Sequence, residues 1–189
     1  MSFKTTAWPY VPAKFQTKFS GKRPIRVIVM HVMESPEKGN TAENVAHYFQ
    51  NIPRPASAHI CVDSDSIVQC VKDNDVAYAA PGVNRDGIHI EQAGFSSQSG
   101  AEWLDPYGIL MINKAADAAA QYCLKYDIPP VRLSLKELKD GKKGIIGHWD
   151  ATQVYKPNNH HTDPGESYPW QFFLTRVVFF IEQHKKGSQ

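Results

Sequence analysis

Apolar and polar residues follow two periods along the chain, and together they predict strands interleaved with helices. Residues 24–31 (PIRVIVMH) form a nearly continuous apolar, β-branched run, which indicates a strand buried on both faces. Two apolar runs flank the turn-forming residues 63–66 (DSDS) and predict a hairpin over 58–71. Further short strands are predicted over residues 88–94 (IHIEQAG) and 144–149 (GIIGHW), the latter with a histidine near its end.

Helical spacing of apolar residues, opened by a capping residue or a proline, predicts helices between these strands. They cover about 40–51 with Asn40 and Glu43 as a capping box, 105–127 with Asp105 as cap and Pro106 in the first turn, a short segment from Ser134 with Glu137 to Gly141, and 169 to about 184. We expect Ile109 on the apolar stripe of the long helix, Gln121 on its polar side and Val178 on the inward face of the last helix. The predicted fold class is α/β, a central mixed β-sheet flanked by helices.

The length of 189 residues favours a single domain. We assign residues 1–23 to an irregular N-terminal lead-in, 24–184 to the folded domain and 185–189 to a tail. With 42% apolar residues, the chain is able to bury a sizeable core. The three cysteines have no CxxC spacing, which disfavours a disulfide framework or a cysteine zinc cluster.

Charge and hydropathy exclude several classes of partner. A net charge of +2 without a concentrated basic stripe disfavours nucleic-acid binding. The N-terminal residues lack the apolar run of a signal peptide, and no stretch approaches the roughly 18 apolar residues of a membrane span. We therefore expect a soluble protein made without a signal peptide, with no membrane partner and no obligate protein partner.

Polar side chains at the predicted strand ends suggest a metal site. His31 and His148 each close an apolar strand, and Asp163 lies in a Thr-Asp-Pro-Gly turn. Two imidazoles and one carboxylate form a complete ligand set for catalytic zinc, with the fourth position left open. The alternative is that both histidines are buried and bonded to backbone carbonyls while Asp163 only shapes a turn. Spacing alone does not decide between them.

Five motifs in a fixed order carry a resemblance to a known family: VIVMH, SAHICVDSDSIVQCV, GIHIE, GHWD and HTDPGESYPW. In this order they resemble the type-2 N-acetylmuramoyl-L-alanine amidases, the group that includes peptidoglycan recognition proteins. The resemblance covers residues 24–182 and is greatest to the amidase domains of phage endolysins, notably of phages that infect mycobacteria and related actinobacteria. It implies the amidase-2 fold and bacterial peptidoglycan as the substrate.

The resemblance also implies roles for individual residues. His31, His148 and Asp163 would hold Zn²⁺, and Glu91 would take a proton from the attacking water and pass it to the leaving amine. His161 occupies the place where many members carry a lysine that holds the polarised carbonyl oxygen.

Two positions depart from the family pattern. Where members often have Trp-His after the hairpin this chain has Ala79, and Ala58 stands where some relatives have a catalytic tyrosine, directly before His59. These changes leave the substrate contacts open and shift the acid–base role to Glu91. Candidate substrate-binding residues are Asn84, Trp149 and His59, although His59 is also compatible with a structural role.

The function implied is zinc-dependent hydrolysis of the amide bond between N-acetylmuramic acid and L-alanine, carried out by an endolysin that reaches the wall after membrane perforation by another protein. One alternative is a peptidoglycan-binding module of the same fold without catalysis. Another is a zinc peptidase that cuts within the stem peptide. Retention of all four of His31, His148, Asp163 and Glu91 favours the enzyme over the binder.

Overall fold

A five-stranded mixed β-sheet and a separate two-stranded sheet form the framework of the computed structural model, which describes residues 6–187. The strands are β1 (Gln16–Thr17), β2 (Val27–Val32), β3 (Ile60–Val62), β4 (Ile67–Gln69), β5 (Val76–Ala77), β6 (Gly87–Gln92) and β7 (Gly144–Gly147). The helices are α1 (Thr41–Asn51), α2 (Gly100–Trp103), α3 (Pro106–Tyr126), α4 (Leu135–Lys139), α5 (His148–Tyr155) and α6 (Trp170–Gly187).

The main sheet has the strand order β4-β3-β6-β2-β7. Strands β3, β6, β2 and β7 run parallel to one another, whereas β4 pairs antiparallel with β3 as the predicted hairpin. The predicted mixed sheet is thus confirmed. Because the carboxyl ends of parallel strands lie at one edge of a sheet, residues at the ends of β2, β6 and β7 are brought together there.

The two faces of the sheet are buried in different ways. On one face, Ile28 and Met30 of β2 and Ile90 of β6 join a core with apolar residues of α3 and α6. The opposite face of β2 presents Val27 and Val29 to a smaller core that includes residues of α4 and α5. All six residues of β2 are buried, which explains why its sequence is a continuous apolar run rather than an alternating one.

Helix α3 begins at the predicted residue, but two of its side chains have the opposite burial from the one predicted. The Asp105 side chain accepts a hydrogen bond from the Gly108 N–H, and Pro106 occupies the first turn. Ile109, expected inside, is 37% exposed, and Gln121, expected outside, is buried. The N-terminal segment covers this side of the helix, and the side-chain oxygen of Gln121 accepts the Thr6 N–H at 2.6 Å.

The helices differ from the prediction at the start of α1, at the end of α6 and in one additional short helix. Asn40 makes no side-chain capping bond with any described residue; the Ala42 N–H is instead satisfied by Oδ2 of Asp63 in the hairpin turn. Helix α6 continues to Gly187 rather than ending near residue 184, and Val178 on it is 42% exposed. The short helix α2 was not predicted.

The predicted strand over 144–149 ends at Gly147, and His148 is the first residue of α5. The reason is the Asp150 side chain, whose Oδ2 accepts the Gly147 N–H at 2.7 Å and so stabilises a helix start directly after the strand. His148 is therefore held at the junction of a buried strand and a helix.

Most of the described N-terminal segment has no regular secondary structure, but it is attached to the rest of the domain at several points. Within residues 6–23, β1 pairs antiparallel with β5, and the buried Arg23 binds loop carbonyls. Residues 1–5 of the predicted lead-in and 188–189 of the predicted tail lie outside the described residues.

Candidate metal centre and catalytic site

Three side chains from distant parts of the chain meet at the carboxyl edge of the sheet. His31 is the fifth residue of β2, His148 opens α5, and Asp163 lies in the loop before α6. The Nδ1 atoms of His31 and His148 lie 3.1 and 3.2 Å from Oδ2 of Asp163. One donor atom from each of the three residues lies within 4.8 Å of the others, so the set could hold a metal ion.

The chemistry of this donor set fits zinc. Two imidazole nitrogens and one carboxylate oxygen match the three protein ligands of many catalytic zinc sites. Burial lowers the pKa of His148, which favours the neutral imidazole that a ligand must be. Burial alone would raise the pKa of Asp163, but the hydrogen bonds from His148 and His31 outweigh it and hold that pKa below its usual range. His148 therefore offers a neutral ring nitrogen beside an ionised Asp163 carboxylate.

The loop that carries Asp163 is fixed by its backbone. The carbonyl of Asp163 accepts the Trp149 N–H at 3.0 Å, and the Gly165 N–H donates to the Thr162 carbonyl at 2.9 Å. Gly165 has φ of +102°, and a Cβ atom there would lie 2.1 Å from the Ser96 carbonyl oxygen. The "TDPG" turn thus requires glycine at its last position, both for its backbone angle and for its close approach to residue 96.

Glu91 lies beside His31, its register partner on the neighbouring parallel strand. Its Oε2 atom is buried and has no hydrogen-bond partner within residues 6–187. Burial, with the negative charges of Asp163 and Glu34, raises the pKa of Glu91 to about 8. A carboxyl group with such a pKa is able to exchange a proton near neutral pH.

His161 packs directly on the metal-site imidazole. Its ring stacks on that of His148 with centroids 4.0 Å apart, and its Nδ1 lies 3.9 Å from Oδ1 of Asp163. Half of the His161 side chain is exposed. Burial and the neighbouring His148 lower the pKa of His161, which favours a neutral ring with one N–H to donate.

These residues line one open cleft of about 450 Å³. Glu34 on its rim has a positive φ of 48° and accepts the Ser96 N–H through Oε1. The cleft is lined by His31, Val32, Met33, Glu34, Phe49, Arg54, Ala56, Ser57, Tyr78, Ala79, Glu91, Ser96, His148, His160, His161, Thr162 and Asp163.

The three predicted substrate-binding residues lie in different environments. Asn84 accepts the N–H groups of Ala79 and Ala80 through Oδ1, at 3.1 and 2.7 Å, and so supports a loop of the cleft. Trp149 is 40% exposed and lines a neighbouring depression with Trp170. His59 is fully buried, which agrees with the structural alternative for this residue.

His89 is a residue of the site that sequence reasoning missed. Its Nδ1 lies 3.0 Å from Nε2 of His31, and its ring stacks on that of His59. The signal was present in the strand alternation, because residue 89 shares a face with Glu91 two residues later. What the sequence did not give was the pairing of β6 with β2, which places His89 behind His31.

The chain is similar to known proteins in sequence and in fold. The sequence profile described as N-acetylmuramoyl-L-alanine amidase (Amidase_2) matches residues 21–166. No curated protein matches the chain. Among solved structures, the Staphylococcus aureus hydrolase AmiA, solved in complex with its ligand, is 20% identical with a TM-score of 0.69, covering 96% of this chain and 87% of that chain.

Two further solved structures share the fold. A mutant endolysin from Bacillus subtilis is 16% identical with a TM-score of 0.59, covering 92% of this chain and 99% of that chain. The N-acetylmuramoyl-L-alanine amidase LysCS from Clostridium intestinale is 15% identical with a TM-score of 0.59, covering 94% of this chain and 99% of that chain. At such identities these likenesses show the fold, and they confirm the one that the sequence motifs implied.

Proposed function

The chain belongs to the N-acetylmuramoyl-L-alanine amidase family, and from that premise we propose a zinc-dependent hydrolase that cleaves the bond between N-acetylmuramic acid and L-alanine in bacterial peptidoglycan. We also propose that residues 24–184 are the catalytic domain of a phage endolysin, which the endolysin among the structural neighbours supports. The observation that carries the zinc proposal is the convergence of donor atoms from His31, His148 and Asp163 within 4.8 Å.

In this proposal those three side chains hold the ion. When bound, zinc supplies a Lewis acid that lowers the pKa of water and polarises a carbonyl group. The chain itself supplies the site: β2 and the β7–α5 junction fix the two imidazoles, and the Trp149 N–H holds the Asp163 backbone. Such preorganisation keeps the ligands in place without a large conformational change on binding.

Glu91 moves the proton in this reaction. In its ionised form the Glu91 carboxylate accepts a proton of the attacking water, and its Oε2 has no competing hydrogen-bond partner among the described residues. The same carboxyl group then delivers that proton to the leaving amine, which a pKa raised to about 8 favours. Positioned general acid–base catalysis of this kind contributes ~10²–10⁴-fold to the rate.

His161 stabilises the charge that develops on the carbonyl oxygen. Its half-exposed ring, stacked on His148, has an N–H that a bound substrate is able to reach. A preorganised donor to an oxyanion is typically worth about 10²–10³-fold in rate. The stacking holds the ring without blocking its outer edge.

In this proposal Trp149 contacts the substrate directly, whereas Asn84 supports the cleft. The exposed face of Trp149 offers an apolar surface for a sugar or a peptide, next to Trp170, over which the Arg132 guanidinium lies at 3.8 Å. Asn84 acts indirectly, by holding the Ala79–Ala80 backbone at the edge of the cleft.

The proposed place of action is the bacterial cell wall, which this protein would reach after another protein perforates the membrane. Over residues 6–187, none of the helices combines the length and apolar character needed to cross a membrane.

Digestion of purified mycobacterial-type peptidoglycan tests the function. The purified protein is incubated with sacculi, with and without a chelator and with zinc restored, and the products are identified by mass spectrometry. We expect free stem peptides that begin at L-alanine, lost with the chelator and regained with zinc. Fragments cut within the stem peptide would instead identify a peptidase, and intact sacculi with adsorbed protein would identify a binding module.

A further inference from the structure

A buried histidine with no role in the steps above lies directly behind the metal site. His89 is fully buried on β6, and its Nδ1 lies 3.0 Å from Nε2 of His31. The other ring nitrogen of His31, Nδ1, lies 3.1 Å from Oδ2 of Asp163. The two nitrogens of His31 therefore face different partners, one on the cleft side and one in the protein interior.

We propose that His89 is a positioning residue that fixes the ring orientation and the tautomer of His31 by accepting a hydrogen bond from its Nε2–H. This inference rests on the proposed zinc site. A neutral imidazole has one N–H and one nitrogen lone pair. If Nδ1 of His31 offers its lone pair on the cleft side, its proton is on Nε2, and Nδ1 of His89 is the acceptor within reach.

The contact with His31 explains why a histidine occupies this buried position. When His89 accepts at Nδ1, its own proton is on Nε2, and that nitrogen is buried without a hydrogen-bond partner in the described part of the chain. An unpaired buried donor opposes folding. An apolar side chain would fill the same space without this unfavourable contribution. The hydrogen bond to His31 is an interaction that only a polar side chain is able to make here.

The His89 ring is held on its other side as well. It stacks on the ring of His59 with centroids 5.5 Å apart and planes 18° apart, and the His89 backbone N–H donates to Nδ1 of His59 at 3.0 Å. Gly87 leaves room for the ring, since a Cβ atom there would lie 3.1 Å from Nε2 of His89. His89 thus has little freedom to turn away from His31.

A matched pair of variants tests the role. His89→Asn keeps a hydrogen-bond acceptor near the position of Nδ1, whereas His89→Leu has a similar size and no acceptor. Zinc affinity is measured by competition with a chelating dye. We expect H89L to bind zinc ~10–100-fold more weakly than the wild type, the usual effect of removing a partner of a metal-ligating histidine, and H89N to recover most of the loss.

Two further measurements separate positioning from packing. Urea unfolding of the metal-free variants reports packing, and we expect H89L to be no less stable than H89N there. Nitrogen-15 NMR of zinc-loaded wild-type protein should show a proton on Nε2 of His31 and none on Nδ1 of His89; this experiment needs no variant and decides the matter even if H89L does not fold.

The outcomes distinguish this inference from the proposed function. Unchanged zinc affinity in a folded H89L variant, or a proton on Nδ1 of His89 in the loaded protein, would overturn the role of His89 alone. A wild-type protein that binds no zinc would overturn the zinc hydrolase and the role of His89 together.

Discussion

Glu91 and His31 lie side by side on adjacent parallel strands, as register partners of β6 and β2. Neighbouring strands are about 4.8 Å apart, and paired residues of parallel strands direct their side chains to the same face. A carboxyl group is therefore placed next to a metal-site imidazole by backbone pairing rather than by a flexible loop. The sheet itself sets the distance between the proposed acid–base group and the proposed zinc site.

Replacing Glu91 with glutamine should abolish turnover and leave zinc binding intact. Glutamine has nearly the same shape but neither accepts nor releases a proton near neutral pH, so we expect the rate to fall by ~10²–10⁴-fold. Release of stem peptides is measured by mass spectrometry, and zinc content by elemental analysis. Glu182→Gln on the exposed surface of α6 is the matched control. Wild-type turnover in E91Q would remove Glu91 from the mechanism.

Replacing Asp163 with alanine should act on the metal rather than on proton transfer. The substitution removes the carboxylate that lies between the Nδ1 atoms of His31 and His148. Loss of a ligand should weaken zinc binding by more than the ~10–100-fold that is typical for an outer partner of a ligand. Equilibrium dialysis against zinc measures this, with Asp140→Ala on the exposed end of α4 as control. Full zinc occupancy in D163A would contradict the assigned ligand set.

Sequence reasoning predicted the parts of the fold that depend on local patterns. The apolar run before His31 and the Asp105 cap of α3 are such patterns, and both were found close to where they were predicted. His148 was placed near the end of a strand because it directly follows the short run of residues 144–147. The decisive interaction is the bond from the Gly147 N–H to Asp150, whose carboxylate comes three residues later and was not interpreted as a helix-start signal.

The sequence motifs predicted which residues form the site but not how those residues are arranged. The ligand candidates came from the sequence, but their separation along the chain gave no distance between them. The tertiary relationships were beyond reach: the burial of His59 depends on Arg23 and the β6 backbone, and the contact of His89 with His31 depends on strand order. Both relationships arise from pairing across the sheet, which no local period encodes.

Replacing Arg23 with lysine should destabilise the fold although the charge is kept. The buried guanidinium donates through Nε to the Asp73 carbonyl at 3.0 Å and through Nη1 to the Gly87 carbonyl at 2.8 Å. The single ammonium group of lysine is unable to donate from two positions as the guanidinium does, so at least one of these carbonyl groups loses its donor. Each unpaired buried group costs about 1–3 kcal/mol. We expect a loss of about 3 kcal/mol in urea unfolding. The exposed Arg85→Lys should change stability by less than about 0.5 kcal/mol; equal effects in both variants would refute the anchoring role of Arg23.

The metal-free protein should lose stability as the pH falls below about 6.5. Burial lowers the pKa of His59 well below its ordinary value of 6.5, and the charge of Arg23 acts in the same direction. Below pH 6.5 the unfolded chain binds a proton at His59, whereas the folded chain does not. The free energy of unfolding therefore decreases by up to about 1.4 kcal/mol per pH unit for this residue, until the folded pKa is reached.

Urea unfolding in chelator between pH 8 and 5 measures this slope. His59→Gln removes the titrating group and keeps an oxygen or nitrogen near the position of Nε2, so its slope should be shallower than that of the wild type. The variant His47→Gln on the exposed side of α1 should keep the wild-type slope. A slope that H59Q leaves unchanged would show that acid sensitivity arises elsewhere.

Replacing Gly165 with alanine should disturb the metal site through the backbone of its loop. Gly165 has φ of +102°, and an added Cβ atom would lie 2.1 Å from the Ser96 carbonyl oxygen, so the loop that carries Asp163 must shift. Gly141 is the matched control, because it has φ of +80° and its Cβ atom would have no neighbour within 4 Å among the residues described. Both variants carry the backbone strain of a positive φ, about 1–3 kcal/mol, but only G165A adds a collision.

We expect G165A to lose more stability than G141A in urea unfolding and to bind zinc more weakly, while G141A keeps the wild-type zinc affinity. Equal zinc affinities in the two variants would mean that the position of Asp163 does not depend on the packing of its turn against residue 96.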